Sequence, residues 1–130
     1  MPDLLNTASA WLEAKRTAHL SRTVEYRRGV DAVEVAATVG RTVFEQVDNE
    51  GVGIVHRIES RDFLILRTAL VLADVEVLPK AGDRIRDPDG DDIQIYEVMA
   101  PGGEPPFRFS DPYRRTLRVH TKHIGSEPTT

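Results

Sequence analysis

The chain has 130 residues, 40 % hydrophobic and 29 % charged, with a formal net charge of -4 at pH 7 and no cysteine. That length suits one domain with a core of its own, and the lack of cysteine removes disulfide staples, thiolate nucleophiles and Cys-based metal centres together. No apolar run approaches the ~20 residues that cross a bilayer, and the acidic balance argues against non-specific nucleic-acid binding by the chain as a whole.

Met1-Pro2-Asp3-Leu4-Leu5 lacks the basic flank and continuous apolar stretch of a secretory signal, because Asn6, Thr7 and Ser9 interrupt it at once. Cytoplasmic synthesis is the expectation, with no membrane partner. Asp3 suits an N-cap, and Leu4, Ala8, Trp11 and Leu12 share one stripe at helical spacing, which predicts an α-helix over about 3–19. Trp11 would bury a large area against a sheet or against a neighbouring subunit.

After Ser21 the hydrophobic period becomes two. Val24 and Tyr26, a turn at Arg28-Gly29, then Val33 and Val35 predict a β-hairpin. Thr42 to Glu45 keeps strand character up to the polar turn at Asp48-Asn49-Glu50-Gly51. Val52, Ile54, His56 and Ile58 alternate beyond it, and Glu59-Ser60-Arg61-Asp62 reads as the turn closing a second hairpin. Phe63-Leu64-Ile65-Leu66 is apolar throughout and predicts a central strand covered on both faces. Thr68 to Val77 has no decisive period and is expected to be loop. Pro79 to Asp83 is a turn, Arg84-Ile85-Arg86 a short strand and Asp87-Pro88-Asp89-Gly90 a second turn. Ile93, Ile95 and Glu97 alternate with Tyr96 and Val98 in a well-marked strand. It ends in a Pro- and Gly-rich excursion over 101–106, and Tyr113 to Ile124 forms the last long strand. The pattern predicts a mainly β chain: a small barrel or sandwich behind one N-terminal helix, a single domain over 1–125, and a mobile tail over 126–130.

Candidate chemistry is sparse. His120 and His123 stand three apart on a predicted strand, which turns them to opposite faces, and His19 and His56 are isolated in sequence. The acidic run from Asp87 to Asp92 lacks the Gly and Glu spacing of a calcium loop, so no metal or other cofactor is expected. Glu45, Glu59 and Glu97 have no spacing that demands an active site, and no catalytic residue is assigned. One feature is less bland: Arg114, Arg118, His120 and Lys122 fall on one face of the last strand, opposite Leu117 and Val119. This basic face is either solvated or suited to an acidic or phosphate-bearing partner. Phe107 and Phe109 follow the Pro-Gly excursion and, with Trp11, are candidate interface anchors, though the two phenylalanines could equally fold back on the core.

From Pro79 onward the elements follow a familiar order: Gly82-Asp83-Arg84-Ile85, an acidic turn, Ile95-Tyr96-Glu97-Val98, a loop, then Arg115-Thr116-Leu117-Arg118-Val119. This order is similar to that of the tailed-bacteriophage head-tail joining proteins, the stopper or connector family. The resemblance implies a compact β-barrel that assembles as a homo-oligomeric ring between portal complex and tail in the virion neck. It also implies portal, adaptor and tail proteins as partners, DNA within reach in the channel, and a structural role in a phage or prophage rather than an enzymatic one. Carried over, Gly82 and Asp83 form the turn into a strand, while Tyr96 and Val98 anchor the barrel. The alternative is a small-barrel binding module that recognises a peptide or nucleic acid through its basic C-terminal strand.

Overall fold

A computed structural model describes residues 21–47 and 55–128, so the predicted helix over 3–19 and Trp11 lie outside the described residues. Strand β1 (Arg22–Arg28) and strand β2 (Asp31–Val47) pair antiparallel from Arg22↔Ala37 to Arg28↔Asp31, leaving Gly29-Val30 as the turn. Gly29 takes φ 61°, the left-handed conformation such a turn requires and glycine adopts at no steric cost. The period of two then does what the sequence leads one to expect. Val24, Tyr26 and Val35 face inward and are buried.

Strand β3 (Val55–Leu66) runs back along β2 from Val47↔Val55 to Ala37↔Ile65. Glu59-Ser60-Arg61-Asp62 is therefore strand interior and not a turn. Its polar composition misleads because Ser60 and Asp62 are buried and hydrogen-bonded, while Glu59 is exposed. Phe63, Leu64 and Ile65 are buried, as a central strand requires, and Leu66 is partly exposed.

The region expected to be loop holds a 3-10 turn (Arg67–Ala69) and a small hairpin of β4 (Val71–Leu72) and β5 (Val75–Glu76). Its turn residues Ala73 and Asp74 both have positive φ, 50° and 65°, where glycine or asparagine is usual, so the turn carries no residue signature. Strand β6 (Arg84–Asp89) pairs with β7 (Asp92–Val98) from Arg84↔Glu97 to Asp89↔Asp92. The turn is thus Gly90-Asp91, and Asp87 sits two residues inside the strand. Asp87 is buried, 2.9 Å from Arg22 and 3.7 Å from Arg61.

After a 3-10 turn (Pro101–Gly103), β8 (Phe107–Phe109) and β9 (Thr116–Pro128) complete the fold. Strand β9 keeps pairing with β7 as far as Asp92↔Pro128, so residues 126–128, expected in a mobile tail, belong to the sheet. The register slips between Ile95↔Gly125 and Tyr96↔His123, which leaves Ile124 as an extra residue in β9.

The pairings run β3-β2-β1-β6-β7-β9, and β9 pairs with β3 as well, so the hydrogen-bonded circuit of these six strands returns to its start. β8 adds to β9 alongside β7. Inside lie Tyr26, Phe63, Ile65, Ile85, Leu117 and Val119, all fully buried, with Tyr96 and Val98 beside them. Gly82, at φ 98°, donates its N–H to Val98 O at 2.9 Å and turns the chain into β6.

Two pieces of backbone leave the circuit. β1 stops pairing with β2 at Ala37, and β9 stops pairing with β3 at Arg61. Beyond those points 38–47 and 55–60 continue as a two-stranded arm, roughly 20 Å long past Arg41 at ~3.3 Å per residue. The second piece is the excursion 99–106. It leaves and rejoins β9 at one residue: Met99 N–H donates to His120 O, and His120 N–H donates to Pro106 O.

Candidate interface site

On the outer face at the base of the arm, alternation places Ser60 and Asp62 of β3 beside Thr42 of β2 and Arg118 and His120 of β9. Asp62 is the centre. Its Oδ1 accepts from Ser60 Oγ at 2.5 Å and from His120 Nδ1 at 3.0 Å. Its Oδ2 accepts from Arg118 Nη1 at 2.8 Å and from Thr42 Oγ1. A carboxylate offers about four acceptor positions, so the group is saturated. Burial alone would push the Asp62 carboxyl up, but the hydrogen bonds from His120, Ser60, Thr42 and Arg118 outweigh it and hold the group well below the usual carboxylate range.

Gly40 stands directly opposite Asp62 in the register, and its missing side chain leaves the space Arg118 occupies: a Cβ there would lie 3.2 Å from Arg118 Nη1. Phe44 sets its ring at right angles to that of His120, 5.0 Å between centroids. The excursion closes toward the arm. Pro101, Gly102 and Glu104 line a cleft of about 230 Å³ together with Phe44 and Ile58.

The arrangement brings together a serine, a histidine and an aspartate, yet it is not built for nucleophilic catalysis. Ser60 and Asp62 both lie on Nδ1 of His120, at 3.4 Å and 3.0 Å, whereas a general base needs its orienting acid and its nucleophile on different ring nitrogens. Among the described residues no group of three or more His, Cys, Asp or Glu side chains could hold a metal ion. What the cluster can do is fix β2, β3 and β9 to one another where the arm begins.

The residues singled out as a basic face are divided by the structure. Arg118 and His120 share a face, but His120 is buried and both serve Asp62. Lys122 is half exposed and reaches Glu97 at 4.0 Å. Arg114 precedes β9, in a turn where it takes φ 56° and its guanidinium lies 5.7 Å from the centroid of Phe109. Phe107 and Phe109 meet edge to face at 5.8 Å and pack half-buried against the core, so part of each ring is still open to solvent.

Arm residues pointing the other way stay in water. Arg41 is 76 % exposed and pairs with Glu59 at 3.6 Å; Arg57 is 69 % exposed and pairs with Glu45 at 3.8 Å, with Val43 between the two pairs. The outer edge of β2 past Ala37 and that of β3 before Arg61 have no strand partner among the described residues. Sequence reasoning found the strands of the arm but missed Asp62, whose flanking polar residues imitate a turn.

The described residues thus form an all-antiparallel β fold with a polar clamp at the base of an arm, and both edges of that arm lack a strand partner among the described residues. A model of the phage head-tail joining protein family matches residues 2–128, and the chain belongs to that family. Its role is therefore structural, in the phage neck. No curated protein matches the chain. Among the described residues no helix is long and apolar enough to cross a membrane.

Proposed function

We propose that the chain is a ring-forming component of a phage or prophage neck, seated between the portal complex and the tail. The closed circuit of six strands is read here as a small barrel, which serves as the rigid body of each subunit. The observation that carries the ring reading is the arm. Two unpaired edges at the end of a stable body are a template for pairing with a further chain, and proteins ordinarily shield such edges. The charges suit a repeat of the same arm side by side: one edge carries Arg41 and Glu45, the other Glu59 and Arg57. A neighbouring arm running in the same direction and in the same register would set Arg57 directly against Glu45 and Glu59 diagonally against Arg41.

Trp11, Phe107 and Phe109 join this reading as further interface anchors. Portal, adaptor and tail proteins are the partners above and below the ring, and DNA passing through the channel is within reach of the arms.

The test follows from the register. Glu45 and Arg57 are directly opposite, so removing 46–56 and joining them through a two-residue Asn-Gly turn shortens the arm without touching the circuit. The shortened chain is expected to keep its thermal midpoint within a few degrees and to lose head-tail joining, seen by electron microscopy of purified heads and tails mixed with it. Normal joining by the shortened chain would remove the arm from the interface.

The alternative, recognition of a peptide or nucleic acid through the basic last strand, has less to work with. Arg118 and His120 are committed to Asp62, which leaves the strand itself with a single half-exposed cation, Lys122, among the residues singled out.

A further inference from the structure

Among the described residues arginine is almost always answered by a carboxylate. Leaving Arg115 aside, every described arginine but two has an Asp or Glu oxygen no farther than 3.8 Å away. The exceptions are Arg108 and Arg114. Both are exposed, and both guanidinium groups lie over an aromatic ring: Arg108 at 6.0 Å from the centroid of Phe44, Arg114 at 5.7 Å from that of Phe109. Such placement holds the planar group in one orientation while leaving N–H donors free for an anion.

Each is also fixed from below. Arg108 Nη2 donates to Thr42 Oγ1 at 3.2 Å, which ties it to the Asp62 cluster. Arg114 stands in the left-handed region, at φ 56°, which a non-glycine residue adopts only where its surroundings hold it. Its turn is held by Asp111, whose Oδ1 accepts the N–H groups of Arg115 and Thr116 at 2.9 Å each.

The complementary surplus lies on the same chain. In the turn between β6 and β7, Asp89 and Asp92 are exposed and directly opposite each other, with no cation in salt-bridge reach among the described residues. Arg86, the nearest basic residue along β6, is committed to Glu127 at 2.9 Å. Like charges facing each other across a hairpin are unfavourable unless a cation joins them.

These two surpluses cannot meet within one subunit. Arg108 is opposite Arg118 on β9, while Asp92 is opposite Pro128, ten residues further along the same strand. At ~3.3 Å per residue the separation is roughly 33 Å. A positive end and a negative end on one strand give a head-to-tail contact, which closes into a ring when each copy is rotated suitably against the last.

We infer that Arg108 and Arg114 of one copy grip the Asp89–Asp92 turn of its neighbour. The inference rests on the ring reading and names a second subunit contact, on the body rather than the arm. It is tested on the full chain by mass photometry and sedimentation across concentration and salt. Arg108→Glu with Arg114→Glu is expected to weaken self-association at least tenfold, and so is Asp89→Arg with Asp92→Arg. Combining all four substitutions, which exchanges the two ends, is expected to restore assembly, as is mixing the two double variants. The Arg114→Glu single variant, which leaves the Asp62 cluster untouched, should show part of the loss, and circular dichroism should show every variant folded. Wild-type-like assembly of the arginine variant, or no recovery in the quadruple variant, overturns the inference and leaves the ring reading standing. An arginine variant that assembles normally but no longer binds a short DNA duplex overturns it as well, and makes the pair a phosphate contact. A wild-type chain that stays monomeric at every concentration, both alone and on tailless heads, overturns the ring reading and this inference with it.

Discussion

Asp62→Ala is expected to cost about 3–5 kcal/mol of folding stability, measured as a lower denaturant midpoint at pH 7. The carboxylate is fully buried, and its loss strands four donors, Thr42, Ser60, Arg118 and His120, of which Ser60 and Arg118 keep long contacts to Thr42 O at 3.5 Å and Arg41 O at 3.4 Å. Arg118 would become a half-buried charge without its counter-ion, the costliest part of the change. Damage should be local before it is global. Amide exchange is expected to accelerate first in 99–106 and at the base of the arm, because His120 carries both backbone bonds of the excursion. Wild-type-like midpoint and exchange would show that the cluster contributes shape but little energy.

Acid should imitate that substitution. The Asp62 and Asp83 carboxyls are both held below the usual range. Their contribution is fully present above the unfolded value, about pH 4, and is lost as pH falls through the folded one. Stability is therefore expected to hold steady from neutrality to about pH 4 and to decline below it. For Asp62→Ala the acid limb should be shallower, since one of the groups that contribute to it is gone.

Asp83→Ala is expected to rank next, at about 3 kcal/mol, read from the same denaturation curves. Asp83 is buried and accepts from Tyr26 Oη at 2.5 Å, from Arg28 Nε and Nη2 at 2.9 Å and 2.8 Å, and from the Lys80 N–H at 3.0 Å. These bonds fasten β1 to the turn that leads into β6, strands 57 residues apart in sequence at Tyr26 and Asp83. Burial and the hydrogen bond to Asp83 push the Tyr26 hydroxyl far above its ordinary range. A raised tyrosine stabilises the folded chain below the unfolded value near pH 10 and loses that contribution as pH climbs further. Asp83→Ala should lessen this alkaline loss, which a titration of stability between pH 8 and pH 11 would show.

How far the sequence discloses this molecule depends on whether the side chains report their own surroundings. They do in β1, β7 and β9, where Val24, Tyr26, Tyr96, Val98, Leu117 and Val119 keep a period of two and all face the core. Turn residues and the family resemblance, not alternation, mark Gly82 and Asp83 as the entry to β6. Polar residues mislead wherever tertiary structure satisfies them. Glu59 to Asp62 reads as a turn because nothing local shows that the opposite strand carries Arg118 and His120 in phase with Asp62. Asp87 reads as part of an acidic turn because Arg22 and Arg61, its partners, are 65 and 26 residues away in the chain. Positive φ at Ala73, Asp74 and Arg114 has no residue signature either, since each sits where glycine or asparagine is the usual choice.

Strand β9 pairs with β3, β7 and β8. It is also C-terminal to all of them, so a ribosome makes it after every strand it joins. Until β9 emerges, the arm lacks the residues that clamp its base, and the second edge of β3 stays bare. The Leu64↔Arg118 pairing spans 54 residues, a non-local contact of the kind that forms late. A nascent chain therefore carries hairpins but no closed circuit and no finished clamp. The last strand to be made is thus the one that closes the circuit and sets the clamp, so both are finished together.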